Sequence, residues 1–166
     1  MASISIDNLG KHLSSATESL ISAQSAINEK AIRATYISIA NKIIMKTPVD
    51  KGRARANWFL TKGQPSNKTT DSKNANARVS EVNRKLSGDI LGETFYLTNN
   101  LPYIGVLEFG GYPKNPKKGT RVKKGKGKFE IRSQNGFSKQ APEGMVRLSV
   151  ARFAKELKRN IRVYSK

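Results

Sequence analysis

Cysteine is absent from this chain, which excludes a disulfide framework, a thiolate metal centre and a cysteine nucleophile, and suits folding in a reducing cytoplasm. Histidine occurs once, at His12, so no His/Cys zinc site can be assembled. A nucleophilic triad would have to use that single imidazole, which falls on an N-terminal helical stretch and reads as an ordinary edge residue. Acidic residues are scarce, 12 against 31 Lys and Arg. Among them only Asp89 and Glu93 lie within four positions of each other, thin support for paired-carboxylate or two-metal work. Neither G-x-x-x-x-G-K-[ST] nor G-x-G-x-x-G occurs. No apolar run approaches the roughly 18–20 residues of a membrane span, and the opening "MASISIDNLGKHLSS" lacks the basic flank and apolar block of a secretory signal. The expectation is a protein without catalytic residues, cofactor or metal.

What is abundant is positive charge, and it is unevenly placed. The net charge is +19 over 166 residues. Residues 1–45 hold four basic and three acidic groups, leaving +18 for the remainder. The sixteen residues from Pro113 to Lys128 carry eight cations and no acid: Lys114, Lys117, Lys118, Arg121, Lys123, Lys124, Lys126 and Lys128. Near the C-terminus Arg147, Arg152, Lys155, Lys158, Arg159 and Arg162 face a single acid, Glu156. Such asymmetry points to a polyanion, nucleic acid before others. No helix-turn-helix, zinc finger or base-stacking aromatic pattern is present, so contacts would neutralise phosphates without reading sequence.

The elements read as α+β: a long N-terminal helix and a C-terminal helix packed on one antiparallel β-sheet, with a long basic loop or hairpin. Leu9, Leu13, Ala16, Leu20, Ala23 and Ile27 make a narrow helical stripe suited to another helix, within the chain or from a neighbouring subunit. Ile32, Tyr36, Ile39 and Ile43 make a second after a five-residue step, which either rotates the buried face or breaks the helix near Asn28–Lys30. Pro48 ends this region, residues 1–46. Residues 47–141 form the sheet, with strands expected around Trp58, at Thr94–Thr98 and at Tyr103–Phe109, the last two joined by an "NNLP" turn. Two insertions, about 64–78 and 112–128, are expected to be flexible; "VSEVNRKLSGD" reads as a short helix and "KFEIRS" as a return strand. An amphipathic helix occupies 142–162. Glu108 is expected to be a buried acid paired with an arginine of "KGRARAN".

Three stretches, "TPVDKGRARANW", "FYLTNNLPYIGVLEFGG" and "FSKQAPEGMVRLSVARF", together resemble the neck or tail-completion (minor tail) proteins of long-tailed bacteriophages. The resemblance spans about Ala34–Phe153, with Thr47–Trp58, Tyr96–Gly111 and Gln140–Arg147 as its fold-defining segments. It implies a non-enzymatic virion protein, assembled in the host cytoplasm. Its subunits form a homo-oligomeric ring, typically a hexamer, between head and tail. Partners would be a head-side stopper or connector, a tail terminator or tube, and viral DNA in the channel. Several members run almost directly from the "LEFGG" position to "SKQAP", so the basic insertion is not supplied by the resemblance. The alternative reading is a free, sequence-independent nucleic-acid-binding protein with an architectural or packaging role.

Overall fold

The computed structural model describes residues 6–116, 120–121 and 129–166, without side chains at 6–13, 120–121 and 129. It is an α+β arrangement of six helices and three short antiparallel strand pairs among those residues. Helix α1 (Ile6–Lys46) is followed by α2 (Arg53–Ala56), β1 (Phe59–Lys62), α3 (Ala75–Lys85), β2 (Phe95–Thr98) and α4 (Ile104–Phe109). The chain continues through β3 (Thr120–Arg121), β4 (Phe129–Glu130), β5 (Ser133–Gln134), β6 (Phe137–Ser138), α5 (Val146–Val150) and α6 (Phe153–Tyr164).

Helix α1 is a single rod. The candidate break at Asn28–Lys30 does not occur: the Arg33 guanidinium pairs with Glu29 one turn earlier and also reaches Gly88 O at 2.7 Å. Pro48 stops the helix where it was expected to, because its ring displaces the preceding residue from helical geometry. Thr47 makes that stop specific. Its buried hydroxyl donates to Ile43 O (2.8 Å) and accepts from Trp58 Nε1 (2.8 Å). The core gathers Ile39, Ile43 and Ile44 of α1 with Trp58, Leu60, Val82, Leu86, Ile90, Leu101, Leu107 and Met145.

Around Trp58 the expected strand begins later, because Arg53–Ala56 close one helical turn before β1. β1 and β2 pair antiparallel, Phe59 opposite Thr98 and Lys62 opposite Phe95. The expected third strand, Tyr103–Phe109, is instead α4. Leu107 and Glu108 are its buried residues, lying three and four positions after Ile104, a helical period that a short apolar run conceals. Asn99, read as part of a hairpin turn, accepts from Leu101 N–H and donates to Ala54 O, steering the chain into α4.

The 64–78 insertion is also corrected. Asn57 holds Thr70 by both its N–H and its carbonyl (2.7 and 2.8 Å), and Asn100 donates to Ser66 O and Lys68 O. From Ala75 the segment is already helix α3. The C-terminal helix is two: α5 and α6 are separated at Ala151–Arg152. Buried Ser149 donates back to Met145 O at 2.7 Å, a side-chain bond that bends helices, and the turn tightens there with Arg152 N–H bonding Ser149 O.

Helix α6 runs antiparallel along α1 on polar contacts. Asn160 donates to Thr35 Oγ1 (2.9 Å), and Glu156 receives Lys42, Ser38 and Arg159. Thr47→Val would leave the buried indole N–H of Trp58 without its acceptor. It should destabilise the fold by about 1–3 kcal/mol, measured as the urea midpoint of the fluorescence of Trp58, the chain's one tryptophan.

Candidate interface: the basic insertion and its clasp

Glu108 is the centre from which this region is built. It sits at the end of α4 with a side chain 7% exposed, aimed at the N-terminus of α5. Its carboxylate accepts from the backbone N–H groups of Met145 (2.8 Å), Val146 (2.8 Å) and Arg147 (2.9 Å). These are the donors that a first helical turn leaves unsatisfied. Arg147 also donates from Nε to the carboxylate (3.2 Å) and from Nη2 to Glu108 O (2.8 Å), and its guanidinium lies over the Phe109 ring at 5.4 Å. Burial by itself would raise this carboxyl. The N–H groups of Arg147, Val146 and Met145 and the Arg147 side chain outweigh it and hold Glu108 below its ordinary 4.5.

The expected arginine partners of Glu108 are therefore corrected. Arg55 donates to Thr47 O (2.7 Å), and Arg53 pairs with Asp71 (2.9 Å). Arg147, counted in the basic face of the C-terminal helix, instead belongs to the Glu108 cluster on α5. The sequence reading missed Gly144, whose φ of +81° favours glycine and whose added Cβ would lie 2.6 Å from Glu108 O and 2.9 Å from its Cδ.

The remaining motif joins the same cluster. Val49 N–H donates to Gln140 Oε1 (2.8 Å) and Gln140 Nε2 donates to Val49 O (2.9 Å), tying "TPVD" to "SKQAP". The two ends of the insertion are closed by a hairpin that sequence reading also passed over. Asn135 (φ 51°) and Gly136 (φ 84°) turn β5 into β6, and Asn-Gly is the strongest short hairpin signal. Gly136 O accepts from both Gly111 and Tyr112 N–H (2.9 and 3.1 Å). Arg132 pairs with Asp50 at 2.7 Å. Beyond this stem β3 pairs with β4, Arg121 opposite Phe129, as the return-strand reading of "KFEIRS" anticipated.

Of the insertion's cations, Lys114 is exposed and Arg121 lies in β3; Lys117, Lys118, Lys123, Lys124, Lys126 and Lys128 lie outside the described residues. On α6, Lys155, Arg159 and Arg162 follow Arg152 at helical spacing on the exposed side, with Lys158 beside them. Arg159 is engaged by Glu156, which Lys42 first and Arg159 further hold below the ordinary carboxylate value. A cleft of about 680 Å³ opens at the foot of the stem, walled by Val49, Asp50, Tyr103, Tyr112, Ile131 and Arg132. Burial, and secondarily Tyr103, push the Tyr112 hydroxyl up.

No group of three or more His, Cys, Asp or Glu that could hold a metal occurs among the described residues. Asp89 is exposed, and Glu93 pairs with Lys62 at 2.8 Å. No described helix is long and apolar enough to cross a membrane. Comparisons with protein-family models, curated proteins and solved structures return no match.

Gly144→Ala should cost about 2 kcal/mol or more, since its backbone strain and the clash with Glu108 act together; thermal unfolding measures it. Glu108 has a lowered carboxyl pKa, so its stabilisation is present above 4.5 and lost as pH falls through the lower folded value. Glu108→Gln should therefore be least stable relative to the parent at neutral pH. That difference should shrink well below pH 4.5, as read from paired urea titrations.

Proposed function

We propose that this chain is a non-enzymatic structural protein of a bacteriophage particle, a ring-forming neck or tail-completion subunit joining head and tail around the DNA channel. The observation that carries the reading is the convergence of the three resembling segments. "TPVD", "LEFGG" and "SKQAPEGMVR" meet through Val49 with Gln140 and Glu108 with Met145, Val146 and Arg147. Residues distant in sequence thus form one polar clasp whose geometry needs that glutamate and Gly144.

The basic insertion has a role in this reading that the clasp does not define. Its flanks are joined where Gly111 and Tyr112 donate to Gly136 O. In a ring it would meet DNA held in the channel, or an acidic face of the adjoining ring. Contacts restricted to phosphate permit sliding, which an exit channel needs. The second reading, a free nucleic-acid-binding protein, draws on the same charge and on the exposed α6 cations.

Electron micrographs of lysates from the parent phage with this gene disrupted should show DNA-filled heads beside separate tails; normal infectious particles would discard the connector. On the isolated chain, engagement of all eight insertion cations gives a slope of log affinity against log salt of about −7, at roughly 0.9 per phosphate. A slope near zero removes the DNA contact and leaves the acidic ring surface.

A further inference from the structure

The interior face of α1 outlasts its cover. At 1.5 Å per residue α1 is about 61 Å long and α6 about 18 Å. Antiparallel packing puts Glu156 beside Ser38 and Lys42, and Asn160 beside Thr35. The cover therefore gives out near Ala31, which is fully buried, while every residue of 14–26 is exposed. The stripe Ala16, Leu20, Ala23 and Ile27 leads at helical spacing directly into Ala31 and Thr35. It is thus the continuation of an existing packing face, yet Leu20 is 72% exposed and Ile21 beside it 65%. This overhang includes five serines within 14–26, residues whose side chains compete for backbone bonds, as Ser19 does with Ser15 O (2.8 Å). A helix of such composition draws its order from packing more than from propensity.

The same chain offers a matching surface. An apolar groove of about 250 Å³ lies between the core half of α1, the β1–β2 pair and α6, lined by Tyr36, Leu60, Phe95, Leu97 and Phe153. Charge selects who can use both. Residues 6–30 hold Asp7, Glu18 and Glu29 against Lys11 and Lys30, a net of −1 in a chain of +19. With a net of −1 this segment does not attract a polyanion, whereas two copies that repel elsewhere can approach through this near-neutral element. A stripe on one surface and a groove on another make a heterologous contact, the kind that closes rings.

We infer that the α1 overhang of one copy docks its Ala16–Ile27 stripe into the Tyr36–Phe95–Leu97–Phe153 groove of the next copy. This rests on the ring reading and names the contact that would form it. The absence of cysteine allows a direct test with the full-length chain. Under mild oxidation a mixture of Leu20→Cys and Leu97→Cys chains should give a covalent heterodimer in excess over either homodimer. Leu20→Glu should weaken self-association in sedimentation by roughly tenfold or more, while Ser22→Glu, on the opposite side of α1, should leave it unchanged.

Self-crosslinking of Leu20→Cys alone at equal yield would overturn the contact in favour of α1–α1 pairing. Association indifferent to Leu20→Glu would overturn it and leave the ring standing on some other surface. A parent chain that stays monomeric at every concentration would also overturn it; the ring would then be decided by the micrographs, which do not depend on this contact. Trp58 fluorescence reports whether each variant is folded.

Discussion

A buried carboxylate can be kept charged inside a protein only if its surroundings replace the water it has lost. Glu108 meets that constraint with three backbone N–H groups at the start of α5 and the guanidinium of Arg147. Each partner in turn constrains a further piece of chain. The N–H groups fix where α5 begins, Gly144 supplies the left-handed turn that aims them, and Arg147 folds back over the end of α4. Removing one side of such an arrangement leaves a desolvated charge or orphaned donors, so the two halves stand or fall together. The join between the central region and the C-terminal helices depends on it.

Around this clasp the chain separates its tasks by location. The Gly111–Tyr112–Gly136 stem and the Asp50–Arg132 pair close off an insertion rich in cations. Both contacts lie in the described residues that flank the insertion, apart from the Glu108–Arg147 cluster. At the other extreme, residues 14–26 of α1 are exposed and hold a single charge, Glu18. A strongly basic chain thus carries one near-neutral, partly apolar helical extension.

Much of this was legible in residue order. The stop at Pro48, the strand at Thr94–Thr98, the short helix before Leu86, and the burial of Glu108 all follow from local patterns. The errors share a cause. "YIGVLEF" has apolar residues dense enough to satisfy either period, and only the packing of Leu107 and Glu108 selects the helix. The polar loop after Gly63 has no apolar anchor, so its order comes from Asn57 and Asn100 reaching across from other segments. The Asn-Gly hairpin was readable and overlooked because the neighbouring lysines dominate the composition.

Sequence by itself determined the charge, the lack of thiols, the helical extremes and the α+β class, since these depend on composition and on periodicities spanning a few residues. Tertiary structure alone decided which arginine answers Glu108, why Gly144 must lack a side chain, and where the cover of α1 ends. Those are distances between residues dozens of positions apart. A carboxylate's preference for N–H donors is fixed chemistry, but which donors come within about 3 Å of it is set only once the whole chain has packed.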